Sequence, residues 1–152
     1  LVIANGENVA GGLGITEKTA EQIFAAGVDL ITTGNHVYRH RDPYEFLHRC
    51  ERIVRPANYP ASNPGSGHTA LDVAGTRVGV LNLSGAVELR VARSPFAAAD
   101  AELKRLGEDG ADPRPHALRR RRHRRVQGVW KMFLFGGGGI LIRKTLSKGK
   151  LF

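Results

Sequence analysis

Two apolar runs, each ending in a short polar turn, constrain this chain more than any other feature. Leu1-Val2-Ile3-Ala4 passes into Asn5-Gly6-Glu7-Asn8, and Val28-Asp29-Leu30-Ile31-Thr32-Thr33 passes into Gly34-Asn35-His36. Runs this short and rich in β-branched residues read as buried strands. Between them Thr16 stands as an N-cap, with Glu17 and Thr19 in the first turn and Ala20, Ile23 and Phe24 at helical spacing. The pattern predicts a helix over 17–26, closed by Gly27. Strand, helix, strand is the unit of a parallel sheet. It sends both polar turns to the carboxyl edge of that sheet, where open α/β folds bind ligands.

The rest of the first two-thirds continues this layout. Pro43 to Cys50 predicts a second helix with Phe46 and Leu47 inward, and Ile53-Val54 a short strand. Arg55-Pro56-Ala57-Asn58-Tyr59-Pro60 follows as a rigid segment, since both prolines fix φ. Residues 69–74 and 76–83 flank Gly75 as in a hairpin. Residues 95–106 predict a helix through Phe96, Ala99, Leu103 and Leu106. The fold class is α/β.

Charge divides the 152 residues unevenly. Residues 1–110 hold 11 basic and 13 acidic side chains, and residues 111–152 hold 12 basic and one acidic, which accounts for the +9 total. The basic character therefore describes a tail, not the α/β region. The tail contains the breaker cluster Asp112-Pro113-Arg114-Pro115-His116, the cationic run 119–125 and a four-glycine stretch at 136–139. No apolar run reaches the length of a membrane-spanning helix, so no membrane partner is expected. A lone cysteine, Cys50, excludes an internal disulfide framework and fits a reducing, cytoplasmic setting.

Each polar turn alone has an ordinary reading as a surface turn, since Asn and Gly favour such positions. Together they offer more. Glu7 and Asn8 present a carboxylate beside an amide, a source of oxygen ligands for a divalent cation. Asn35 adds a second amide and His36 an imidazole that ionises near neutral pH. Carboxylate, amide and imidazole converging on one edge have the form of a dinuclear phosphoesterase site. His40 and His48 read as surface groups. His68 follows a glycine-rich loop and has no partner visible in sequence, and Cys50 reads as a small apolar residue.

Several motifs in order make the pattern more specific. They are Ile3-Ala4-Asn5-Gly6-Glu7-Asn8-Val9-Ala10-Gly11-Gly12, Gly27-Val28-Asp29 with Thr33-Gly34-Asn35-His36, the segment 55–60 with Pro64-Gly65, Asn82-Leu83-Ser84-Gly85, and Ser94-Pro95-Phe96 with Ala99-Asp100. On them, residues 1–106 resemble the bacterial YmdB-like metallophosphoesterases, calcineurin-like hydrolases that act as 2′,3′-cyclic-nucleotide phosphodiesterases. The resemblance implies a partial calcineurin-like sandwich of α/β/β/α layers. It implies two divalent metal ions, Fe, Mn or similar, and a cyclic nucleotide or other phosphodiester as substrate. By position, Glu7 takes the place of the bridging carboxylate, Asn8 and Asn35 those of metal ligands, and His36 that of the proton donor to the leaving alkoxide. Asn58 is a candidate substrate contact. Tyr38 and Arg39 stand where the family often has an aromatic and an acidic residue, a partial match.

The departures are equally specific. The family has a leading strand ending in a Gly-Asp pair, and later Phe-His-Ala-Glu-Ala-Thr-type and Gly-Thr-His-Thr-His-type stretches, all carrying ligands. None occurs here, and the chain opens without Met inside an apolar run, so a preceding segment is expected. Residues 107–152 are expected to form a separate basic tail, frameshifted or poorly packed. A suitable choice of codons for Leu118–Val126, read one base later, gives Phe-Asp-Ala-Asp-Ala-Thr-Ala-Glu, close to a missing stretch. An impaired or inactive phosphodiesterase is the resulting expectation. The alternative is a non-catalytic fragment that adheres to nucleic acid through the arginines of 114–125, whose charge suits phosphate backbones without reading sequence.

Overall fold

The computed structural model describes residues 1–41, 43–85, 93–108, 132–135 and 139–143. The cationic run and the whole 114–125 segment lie outside the described residues. β1 (Ile3–Asn5), α1 (Glu17–Ala25), β2 (Leu30–Thr32), α2 (Pro43–Arg49) and β3 (Ile53–Val54) come first in chain order. β4 (His68–Val73), β5 (Thr76–Ser84), α3 (Pro95–Glu108), β6 (Met132–Phe135) and β7 (Gly139–Arg143) follow.

The local signals in the sequence explain most of these elements. Thr16 caps α1 through a reciprocal box with Thr19: the Thr19 N–H donates to Thr16 Oγ1 at 3.3 Å, and the Thr16 N–H to Thr19 Oγ1 at 3.0 Å. Ala26 is the C-cap, and Gly27 follows at φ +93°, where a residue with a Cβ is strained. Ala74 and Gly75 both adopt positive φ at the tip of the β4–β5 hairpin, as tight hairpin turns require.

β1, β2 and β3 form a parallel sheet in that order, with Ile3 opposite Leu30 and Ile31 opposite Ile53. The second sheet runs β4-β5-β7-β6 and is antiparallel. Alternation along the strands sorts the core into three clusters. Leu30 and Val54 of the first sheet meet Val78 and Val80 of the second, so these two faces pack on each other. The other face of the first sheet, Ile31 and Ile53, is covered by Ala20 of α1 and Phe46 and Leu47 of α2. The other face of the second, Leu81 and Leu83, is covered by Ala98 and Leu106 of α3. The layers are helix, sheet, sheet, helix, as the resemblance implied.

Two details differ from the sequence reading. Phe96 is 78% exposed, and the buried stripe of α3 runs through Ala98, Glu102 and Leu106 instead. The boundary expected at residue 106 falls inside α3, because Leu106 is a buried member of that stripe and the helix continues to Glu108. Beyond it, β6 and β7 add to β5, with Asn82 opposite Leu141. Their Phe-Leu-Phe and Ile-Leu-Ile composition around glycines suits paired strands.

Candidate functional site

Parallel pairing of β1 and β2 brings the two polar turns side by side. The ladder continues one step past β1: the Gly6 N–H donates to the Thr32 carbonyl at 2.8 Å. A side chain on Gly6 would meet Ile31 Cγ2 at 2.6 Å, so the close approach requires glycine. The Glu7 N–H then donates to Asn5 Oδ1 at 2.8 Å, an Asx turn that aims Glu7 toward the second turn.

Glu7 is only 7% exposed. Its Oε1 accepts the Asn35 N–H at 3.1 Å and lies 3.7 Å from His36 Nδ1. Gly34 makes room for it, since a Cβ there would fall 2.2 Å from Glu7 Cδ. Asn8 and His36 are joined at 2.8 Å. The amide is best satisfied with Nδ2 toward the ring, donating to His36 Nδ1 at 2.8 Å and to the Gly12 carbonyl at 3.1 Å. In that arrangement Nδ1 accepts, and the ring proton resides on Nε2. The expected residues Glu7, Asn8, Asn35 and His36 are thus brought together.

Tyrosines border this cluster. Tyr59 packs near Tyr38, with ring centroids 6.4 Å apart. Burial raises the Tyr59 phenol, a hydrogen bond with Ser84 pulls it back, and the Glu7 carboxylate raises it further. The Tyr38 phenol is pushed up to about 12, chiefly by burial, against the pull of Arg55. Tyr38 donates to the Pro64 carbonyl at 2.9 Å. Burial lowers the Arg55 guanidinium from its usual range, and its Nε is enclosed with no hydrogen-bond partner among the described residues.

Asn58, the candidate substrate contact, is bonded within the fold. It is fully buried, its Nδ2 donates to the Ser84 carbonyl at 2.8 Å, and its Oδ1 accepts the Ser84 N–H at 2.8 Å. The Arg93 N–H also donates to the Asn58 carbonyl at 3.2 Å. Asn58 therefore staples the end of β5 and Arg93 to the segment after β3. His68, which follows a glycine-rich loop, faces α3 and pairs with Glu102 at 2.8 Å. Asn82 was legible only as part of a motif. It is 1% exposed, and its Nδ2 donates to the carbonyls of Thr33 at 2.7 Å and Val54 at 3.0 Å, which holds the second turn from the opposite sheet.

The donor set suits a divalent cation in part. Glu7, Asn8 and Asn35 offer one buried carboxylate and two amides, hard oxygen donors of the kind such ions take. Among the described residues no group of three or more His, Cys, Asp or Glu gathers to hold a metal.

Comparison with known proteins gives the family and the fold. The profile of a family described as "YmdB-like protein" matches residues 1–113. A 2′,3′-cyclic-nucleotide 2′-phosphodiesterase of Bacillus subtilis (strain 168) is 40% identical over 98 residues, which are 64% of this chain and 37% of that relative. The chain therefore spans under two-fifths of that relative's length. A crystal structure of a hypothetical protein from Thermus thermophilus superposes with a TM-score of 0.64 at 39% identity, over 68% of this chain and 41% of that one. The crystal structure of a phosphatase from Mycoplasma pneumoniae gives 0.62 at 28% identity, over 69% and 40%. No helix among the described residues is long and apolar enough to cross a membrane.

Proposed function

This chain belongs to the YmdB-like family, and from that premise we propose that it carries part of a phosphodiesterase site whose substrate class is the 2′,3′-cyclic nucleotides. The observation that carries the reading is the meeting of Glu7, Asn8, Asn35 and His36 at the carboxyl ends of β1 and β2. The residues that bear this chemistry all precede α3 in the chain. A reducing, cytoplasmic setting belongs to the same reading and is supported by the free Cys50.

Glu7 would bridge two divalent ions, with Asn8 and Asn35 as amide ligands of one of them. When bound, such ions supply Lewis acidity toward the phosphodiester. The chain's own residues do the rest. Gly34 and the Asn35 N–H fix the Glu7 carboxylate, so the negative charge is placed before any ligand arrives. In hydrolysis a bond forms between a water oxygen and phosphorus as that water releases a proton to the solvent, and the bond from phosphorus to a ribose oxygen breaks. His36 Nε2 gives its proton to that departing oxygen, as a positioned general acid does. Asn8 keeps Nδ1 engaged, which leaves the transferable proton on Nε2.

The test is hydrolysis of 2′,3′-cyclic AMP by the purified full chain in Mn²⁺, against Glu7→Gln and His36→Ala. The expected result is low turnover in the parent chain that falls to background in both His36→Ala and Glu7→Gln. Turnover unaffected by either substitution would exclude this site.

A further inference from the structure

The loop that carries Asn8 and the turn that carries His36 are tied together at a second place. His40 Nε2 lies 2.8 Å from the Leu13 carbonyl oxygen. A carbonyl only accepts, so Nε2 carries the proton and donates it. His36 and His40, one helical turn apart in sequence, thus both engage the same glycine-rich loop.

That loop is cross-bonded within itself. The Gly12 N–H donates to the Asn8 carbonyl at 3.2 Å, and Asn8 Nδ2 returns a bond to the Gly12 carbonyl at 3.1 Å. The Ala10 N–H donates to Gly14 at 3.0 Å and the Leu13 N–H to Ala10 at 3.4 Å. Leu13 is the covalent neighbour of Gly12, so a restraint on the Leu13 carbonyl acts on the peptide that holds the Asn8 amide. The loop also presses on the turn at Gly14, at φ +78°, where a Cβ would lie 2.8 Å from the His36 carbonyl oxygen and 3.1 Å from His40 Cδ2.

We infer that His40 is a positioning residue: its bond to Leu13 closes a ring running His40, Leu13, Gly12, Asn8, His36 and back along the turn, and so sets the Asn8–His36 contact. The ring is geometric and stands whether or not the chain hydrolyses phosphodiesters. Its consequence for metal binding rests on the reading above, in which Asn8 is a ligand. Supporting groups that orient ligands commonly change metal affinity by about 10-fold or more when removed.

The experiment uses the full chain labelled with ¹⁵N, comparing the imidazole ¹⁵N signals of His36 in the parent, His40→Ala, His40→Phe and His40→Gln. The exposed His48 serves as internal reference. In the parent, His36 should show a single tautomer with Nδ1 unprotonated. In His40→Ala and His40→Phe its signals should move toward the averaged tautomers of a free ring. His40→Gln, which keeps an N–H donor, should restore the parent spectrum. A Mn²⁺ titration on the same samples should need about 10-fold more metal to broaden His36 in His40→Ala than in the parent. His36 signals that stay unchanged in the folded His40→Phe chain overturn the inference. So does a folded His40→Gln chain that fails to recover them. If Mn²⁺ leaves His36 unbroadened in the parent while the tautomer shift occurs as expected, the metal reading fails and the positioning role stands.

Discussion

Asn82 Nδ2 donates to the Thr33 carbonyl at 2.7 Å, so a side chain of β5 in the second sheet fixes the turn that holds Asn35 and His36 on the first. The two residues lie 49 positions apart in sequence. Asn82 also joins the backbone on both sides: its N–H donates to Gly67 at 3.0 Å and its carbonyl accepts from Ala57 at 2.8 Å. Asn82→Ala should lower stability by about 2 kcal/mol, because it strips a buried carbonyl of its donor. Removing the exposed Asp72–Arg77 pair, 2.8 Å apart, should change it by about 0.5 kcal/mol or less. Urea midpoints of the two variants check the contrast.

Gly34→Ala tests the space around Glu7. The added methyl falls 2.2 Å from Glu7 Cδ, a distance that no side chain tolerates without moving the carboxylate. Displacing Glu7 also removes the acceptor of the Asn35 N–H. Mn²⁺ affinity, read from the electron paramagnetic resonance of the free ion, should fall by about 10-fold or more. Gly27→Ala is the control. It is strained by its φ of +93° but meets no atom within 4 Å. It should cost about 1 kcal/mol in stability and leave Mn²⁺ affinity unchanged.

The elements that the sequence foretold are those set by local forces. The Thr16–Thr19 cap, the apolar run of β2 and the hairpin about Gly75 depend on residues within a few positions, so pattern and propensity suffice. Convergence of Glu7 with His36 was legible for a related reason: a parallel crossover puts both turns on one edge. Roles set by distant partners were not legible. Nothing local marks Asn58 and Asn82 as buried amides or His68 as the partner of Glu102, because those bonds join elements far apart in sequence. The apolar Phe96 looked like core, yet burial depends on what lies opposite, and it stands exposed.

Asn58 is where a structural bond and the expected substrate contact make different predictions. Asn58→Ala leaves the N–H and the carbonyl of Ser84 without partners in a buried setting. The cost should be about 3 kcal/mol, seen as an earlier urea midpoint. Mn²⁺ affinity in the folded chain should stay within about twofold of the parent, since the effect of a structural staple is confined to its own surroundings. A loss of affinity as large as that of Gly34→Ala would place Asn58 in the site after all.

Glu102 gives the fold a dependence on acid. The carboxylate is 4% exposed on α3 and faces His68 of β4 at 2.8 Å, Arg105 at 2.9 Å and Arg93 at 3.6 Å. Burial alone raises its pKa. His68, through a hydrogen bond and its charge, and then Arg105 outweigh that, and the net value lies below the usual 4.5. A carboxylate depressed by folding contributes stability that is complete above its unfolded value and is lost as pH falls through the folded one. Stability should therefore decline below about pH 4.5, as protonation neutralises the one anion among these cations. Glu102→Gln should be less stable than the parent at about pH 6, where it removes the anion that Arg105 and Arg93 face, and the gap should narrow by about pH 3.5. Urea midpoints at the two pH values check this. A gap that stays constant would mean that the charge of Glu102 contributes nothing and that its packing alone holds α3 to the sheet.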